Sequence, residues 1–560
     1  MSAVYDIADR YIDDLAVVDP IEATYMGVRG QEERLTDLSP DGYAARAQLE
    51  DDALAALRAA PDEQPRDALA RALMEERLGV GLERYAAGEH LREVRVLGSA
   101  MGSVRSVFDL MPYDTEEQWA VAARRMRGVP AALDGWTVTL RDGMQRGIVA
   151  ARRQARGCAL QAATWSEGSD HGVRPFFHGV VDRYEQRPDH DTTLLTDLRV
   201  AADAASGGFA QISAFLAGDY AAAATERDAV GEERYRREAR AFLGADVDVR
   251  EAYAWGWDEL DRLEARMVEV CEVIAPGATY AETVAQLEAD PAHVVQGVDA
   301  FVAWNQDLID RTIEELGRSH FDIAPALRKC QAMIAPPGGA AAMYYTQPSE
   351  DFSRPGRTWY PTLGKTTFPL WREVSTCYHE AVPGHHLQIG RTVVLAGELS
   401  RFQRLTGFVS GHGEGWALYA ERLMGELGYL DDPAYELGML AAQAMRAVRV
   451  IVDIGMHLEL PIPASSSYHP GARWTPELAL PFVIERSRFP EAFMRSEVDR
   501  YLGLPGQAIS YKLGERVWLE CRDDARERHG ADFDLREFHS YALDLGGLGL
   551  DALRDQLARF

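Results

Sequence analysis

Three observations predict a mainly α-helical protein. Apolar residues recur at helical spacing, long stretches consist of strong helix formers, and strand signals are sparse. Near the start, Tyr5, Ala8, Tyr11, Ile12 and Leu15 fall on one helical face. Stretches 41–95 and 223–274 are rich in Ala, Leu, Arg and Glu, which lose little side-chain freedom in a helix. The best strand signal lies around 340–363. There Ala342-Met343-Tyr344-Tyr345 and Thr358-Trp359-Tyr360 flank the turn-forming Pro348-Ser349-Glu350-Asp351 and Arg354-Pro355-Gly356. A short irregular β element is expected there, leading into the segment richest in chemistry. Pro276-Gly277 and Pro336-Pro337-Gly338-Gly339 are the clearest breaks, and neither is a long linker. The expectation is one continuous helical body, with a scaffold region over 1–335 and a metal-binding catalytic region over 336–560.

Composition narrows the partners. At 560 residues and 47% hydrophobic content the chain can bury a large core. A net charge of -29 repels phosphates at long range, which argues against nucleic acid and anionic membrane as partners. No apolar stretch approaches the roughly 20 residues of a membrane span. The opening Met1-Ser2-Ala3-Val4-Tyr5-Asp6 lacks a basic region followed by a hydrophobic one, so a cytoplasmic location is expected. The five cysteines, Cys158, Cys271, Cys330, Cys377 and Cys521, are scattered and read as reduced core thiols. The oligomeric state is left open. Basic charge is almost entirely arginine, with lysine only at 329, 365 and 512.

The most informative stretch is His379-Glu380-Ala381-Val382-Pro383-Gly384-His385-His386. Helical zinc hydrolases place two histidines four residues apart on one face, with a glutamate beside the first to activate a water. Here the fourth position is Pro383. At about 100° per residue His385 points roughly 240° away from His379. His386 points only about 20° away but sits roughly 10 Å further along the axis. Neither shares a metal with His379 on an unbroken helix, so a kink or bulge at Pro383-Gly384 is expected. His385 is the favoured second ligand and His386 the alternative.

The run Cys377 to Gln388 resembles the signature of the bacterial domain-of-unknown-function family 885, grouped with the glutamate-zincin metallopeptidases. Further agreement lies in Ser353-Arg354-Pro355-Gly356, Gly413-Glu414-Gly415-Trp416-Ala417, Val452-Asp453-Ile454-Gly455-Met456-His457 and Pro505-Gly506-Gln507-Ala508 with Ser510-Tyr511. Pro20, Thr24 and Gly27 extend it towards the amino terminus. The resemblance implies a mostly helical, zinc-binding, hydrolase-like protein with a zincin-like active-site cleft, and leaves the substrate open.

A catalytic zinc takes three protein ligands and keeps a position for water. Glu414 is the third candidate, in a Glu-Gly-aromatic-Ala turn resembling the one that supplies this ligand in several glutamate zincins. Glu421, one heptad later on the same face, is either a carboxylate orienting a histidine or a solvated acid. Over 439–460 apolar residues wrap the helix on nearly every side, yet Arg446, Arg449, Asp453 and His457 line one stripe. Such a stripe either ties helices together or supports the metal while an arginine grips a substrate carboxylate. Tyr511 is the candidate donor to the oxyanion, with Arg354 and His412 behind it. The functional expectation is a zinc-dependent hydrolase, with Glu380 as general base, acting on short peptides or amino-acid conjugates. The alternatives are a metal hydrolase of a non-peptide amide, ester or lactone, and a non-catalytic binding or scaffold protein with a degenerate metal site.

Overall fold

Polar caps and apolar stripes set most of the helices in the computed structural model, which describes residues 2–168, 174–335 and 342–560. The expected break at Pro336-Pro337-Gly338-Gly339 lies outside the described residues. Ser2 accepts from the N–H of Tyr5 and opens helix Ala3–Val18, which buries Val4, Ile7, Ala8, Tyr11 and Ile12. Stretch 41–95 becomes Pro40–Ala59 and Asp67–Ala86, followed by a short 3-10 turn. Stretch 223–274 becomes Glu232–Leu243 and Val249–Ile274, and the chain turns at Pro276-Gly277, where Gly277 has a φ of 77°. The protein is mainly helical with a small sheet element.

The chain divides into two compact units, Met1–Gly231 with Ser496–Pro505, and Glu232–Arg495 with Gly506–Phe560. In the first, helices Glu116–Arg127, Val129–Gln145, Arg152–Glu167 and Phe176–Glu185 pack on the long helix Thr192–Phe215. Its core is aromatic, with Phe108 edge-on to Phe177 at 5.2 Å and Trp119 and Trp136 buried. In the second unit, Pro433–Leu458 packs along Val249–Ile274, and Ser410–Glu426 along Ser510–His529. Residue 335 falls inside this unit because strands on either side of it pair. Cys330–Ile334 runs parallel to Gly356–Tyr360, which is antiparallel to Tyr344–Thr346 on its other edge. A second pair, Val294–Gln296 with Thr367–Pro369, precedes the motif helix. The two strands expected around 340–363 are present. The other three were not foreseen, because three- to five-residue strands owe their form to a partner rather than to a local pattern.

All five cysteines are free and buried. No helix among the described residues is long and apolar enough to cross a membrane.

In the first unit the charges of Asp19, Glu22 and Glu50 all act on the Tyr11 phenol. Burial raises Glu50 from 4.5 to about 7 against the opposing charges of Arg46 and Arg84, and burial with the Asp19 charge raises Glu22 to about 7. The folded chain thus holds these protons more tightly than the unfolded chain. The associated stability is fully present below pH 4.5 and is lost as pH rises through about 7. Replacing Glu50→Gln is expected to raise the thermal midpoint at pH 8 and to leave it unchanged near pH 4. An equal effect at both pH values would show that Glu50 ionises without penalty in the fold.

Candidate metal centre

Helix Glu373–Glu380 carries the first motif histidine and the glutamate, and ends there. Pro383 has no N–H to continue the ladder. The chain leaves the helix over 381–384 and starts a new one at His385, in His385–Val394. The expected kink is therefore a complete break, with a cis peptide between Val382 and Pro383. The N–H of Gly384 donates back to the Tyr378 carbonyl at 3.0 Å, and that of His386 to the Ala381 carbonyl at 3.0 Å. A Cβ on Gly384 would lie 1.9 Å from the His379 carbonyl oxygen, so only glycine closes the turn. Trp416 Nε1 donates to the Pro383 carbonyl at 2.8 Å and ties the turn to helix Ser410–Glu426.

This break brings together what a regular helix separates. The His379 and His385 rings stand 4.8 Å apart, edge to face. Their Nε2 atoms lie 3.4 and 3.6 Å from the same atom, Oε2 of Glu414. The three ligand atoms all fall within 4.8 Å of one another. Bonds of about 2.0–2.2 Å to a tetrahedral zinc place two ligands about 3.3–3.6 Å apart, which is the spacing of both imidazoles from Glu414. Glu414 Oε2 is buried without a hydrogen-bond partner, which is costly unless a cation meets it. Two imidazoles and a carboxylate form a donor set suited to zinc, so these residues can hold such an ion.

Charge is organised around His379. Its Nδ1 lies 2.8 Å from Glu421 Oε1, so the ring donates there and presents Nε2 to the cluster. Glu414 and Glu421, seven residues apart on one helix, thus address the two nitrogens of one ring. Ser375 Oγ donates to the other Glu421 oxygen, and Arg446 Nη2 lies 3.6 Å from Oε1. Burial raises the Glu421 pKa, but Arg446, His379 and Ser375 together hold it below its ordinary value. Burial lowers His379, yet the carboxylates of Glu414 and Glu421 beside its two nitrogens carry it up to about 9. Burial raises Glu380, with His379 and His385 opposing. Burial raises Glu414 too, but the two histidines outweigh it and keep the carboxylate ionised.

The remaining candidates separate. His386 is fully buried, with Nδ1 2.9 Å from the Tyr345 hydroxyl and Nε2 2.9 Å from the Leu327 carbonyl. The carbonyl can only accept, so Nε2 carries the proton and Nδ1 accepts from the phenol; both nitrogens are used away from the cluster. His412, two residues before Glu414 on its helix, packs its ring on Trp518, and its Nδ1 accepts from the Leu548 N–H at 3.2 Å. On the buried stripe, Asp453 accepts from the Tyr235 hydroxyl at 2.7 Å and the Gly506 N–H at 2.9 Å, and His457 Nε2 lies 3.6 Å from it. These two tie helices together, whereas Arg446 reaches Glu421. Tyr511 is half-buried, with its ring 4.7 Å from the Arg449 guanidinium and 6.0 Å from that of Arg446. Arg354 is half-buried on the loop before strand Gly356–Tyr360. Sequence reasoning missed Ser375, Trp416 and Tyr345. Ser375 left a signal, being four residues before His379 on the same helical face, and so did Trp416, the aromatic of the motif that carries Glu414.

A mainly helical body carrying a buried pair of histidines, a shared glutamate and an adjacent acid is the class that fold and site define. The chain belongs to the family described as bacterial proteins of unknown function, domain-of-unknown-function family 885, whose pattern matches residues 20–557. No curated protein matches the sequence. A solved structure from Colwellia psychrerythraea, described as a "putative lipoprotein", aligns over 100% of this chain and 99% of its own at 22% identity and a TM-score of 0.82. One from Shewanella oneidensis, described in the same words and as of unknown function, aligns over 100% of both chains at 17% identity and a TM-score of 0.75. These similarities establish the fold. The cytoplasmic location expected from the sequence does not stand beside them, because each neighbour is described as a "putative lipoprotein". A protein held by a lipid anchor needs no membrane helix, so the absence of an apolar span among the described residues does not bear on location.

Gly384→Ala is expected to destabilise the protein by about 2 kcal/mol or more, because its Cβ meets rigid backbone. Gly397→Ala, whose Cβ meets nothing within 4 Å, serves as the control. Equal thermal midpoints for the two variants would show that the turn can relax around a side chain.

Proposed function

We propose that this chain is a zinc-dependent hydrolase of amide bonds in short peptides or amino-acid conjugates. The observation carrying the reading is that His379, His385 and Glu414 converge on one point, with the buried acid Glu380 adjacent in sequence to the first. Bound there, zinc would act as a Lewis acid and lower the pKa of a water.

The chain's own residues supply the rest. Glu421, steadied by Ser375 and Arg446, fixes the tautomer and aim of His379. Glu380, with a pKa raised by burial, takes the proton of the attacking water on its carboxylate and passes it to the leaving nitrogen. The water oxygen bonds to the carbonyl carbon, the C–N bond breaks, a carboxylic acid and an amine form and exchange a proton to leave as carboxylate and ammonium, and Glu380 returns to its starting state. Tyr511, under two guanidiniums, is the proposed donor to the developing oxyanion. The lipoprotein description of the structural neighbours favours an exported or lipid-anchored setting for this chemistry.

Purified protein is expected to hold about one zinc per chain. His379→Ala, His385→Ala and Glu414→Ala should each release it, His386→Ala should keep it, and Glu421→Gln should weaken it about 10- to 100-fold in competition with a chelator. Stoichiometric zinc in all three ligand variants by elemental analysis would place the metal elsewhere.

Glu380→Gln should retain zinc and lose turnover, since an amide fills the space but takes no proton at neutral pH. Wild-type rates in that variant would remove Glu380 from the mechanism.

A further inference from the structure

We propose that Arg354 and Arg357 form a subsite for a carboxylate of the substrate, an inference that rests on the hydrolase reading. The chain carries 88 acidic residues against 59 lysines and arginines, so most arginines have an acid within reach. These two do not. The Arg354 guanidinium has no hydrogen-bond or ion-pair partner among the described residues, and Arg357 Nε donates to the neutral Gln331 side chain at 3.1 Å. The acids of the same loop are turned to other partners. Asp351 accepts from Ser349 Oγ at 2.6 Å and Ser353 Oγ at 2.7 Å, and Glu350 pairs with Arg404 at 2.8 Å.

The loop holds its arginine in place. Ser349 Oγ accepts from the Arg354 N–H at 3.0 Å, and the Ser349 N–H donates to the Arg354 carbonyl at 3.0 Å. Phe352 takes a φ of 56°, a conformation a bulky side chain adopts only when its surroundings enforce it. Two residues beyond Arg354, a Cβ on Gly356 would lie 2.4 Å from the Tyr345 hydroxyl and 2.5 Å from His386 Nδ1. The end of the loop is thus fixed where it enters the sheet, packed against the His386 ring.

Partial burial and the charge of Arg357 both work against the Arg354 cation, while the Tyr345 phenol favours it. Two half-buried like charges without a counter-charge are relieved by a bound anion, and the planar guanidinium matches a carboxylate bidentately. Arg446 is already committed to Glu421, and Arg449 lies over the Tyr511 ring. The ligand class is therefore a peptide or amino-acid conjugate bearing a free carboxylate, from either a C-terminal residue or an acidic side chain.

The test compares three probes on the zinc-loaded protein: acetyl-Ala-Ala as the free acid, the same compound as its carboxamide, and acetyl-Ala-Glu amide. Calorimetric binding of acetylalanine and its amide adds a readout that needs no turnover. Acids should be preferred about 10- to 100-fold, the range of a charge-assisted pair. Arg354→Ala and Arg357→Ala should bring the acid-to-amide ratio of kcat/KM towards one, and Arg354→Lys should keep part of it. Preference for the first probe assigns the carboxylate to the chain terminus and preference for the third to a side chain; either supports the subsite. Turnover without acid preference in the wild type, or an unchanged ratio in both alanine variants, overturns it. Acid-selective binding with no cleavage of any probe would instead count against the hydrolase reading and leave the subsite standing.

Discussion

The break at residues 381–384 is the constraint on which the centre depends. Two histidines six apart in sequence cannot face one point on a continuous helix, and the chain solves this by ending one helix and starting another. The solution demands a residue without a side chain at 384, where the His379 carbonyl fills the space of a Cβ. It also demands an external tie, supplied by the buried hydrogen bond from Trp416 to the Pro383 carbonyl. Trp416 stands two residues from Glu414, so one helix both anchors the turn and delivers the third member of the cluster. Close helix packing serves the same end. A Cβ on Gly415 would lie 2.4 Å from the Gly514 backbone, which lets helix Ser510–His529 approach and hold the Glu414 helix in place.

Around this centre the second unit buries several charged groups in paired networks. Lys512 is fully buried, with its ammonium within reach of Gln443, Glu515 and, at 2.8 Å, Glu259. In a chain that otherwise uses arginine, the compact three-donor ammonium suits three converging oxygens. Arg422 and Glu515 join this network at 2.8 Å. Such networks contribute little net stability compared with apolar packing, but breaking one leaves a buried charge exposed to its full desolvation cost. They fix the relative register of the helices that carry Glu414, Arg446 and Tyr511. Against this paired background the Glu414 oxygen and the Arg354 guanidinium are among the groups that no partner among the described residues balances.

The sequence legibly encoded its helices and the composition of the site. Amphipathic spacing placed the first helix, strong formers placed the long ones, and the all-round apolar pattern of 439–460 identified a buried helix. Sequence periodicity also brought Glu421 into question, because Glu414 and Glu421 share a face. What it left undecided was whether Glu421 faced solvent or a histidine, since periodicity fixes the direction of a side chain within its own helix and not what that side chain meets. The same limit applied to Asp453 and His457. Their stripe was correctly drawn, but Tyr235 and the Gly506 turn, which meet Asp453, lie far away in sequence.

The sequence by itself determined a mainly helical chain, its membership of family 885 through a motif with a proline where a histidine is usual, and the residue types gathered there. Tertiary structure decided how His385 and Glu414 converge on His379, and that His386 is spent on Tyr345 and Leu327. It also placed Ser375 behind Glu421. The physical reason is one of range. Helix propensity and capping act over about four residues, whereas the centre is assembled from segments whose proximity depends on a backbone reversal at Gly384 and on packing between helices remote in the chain.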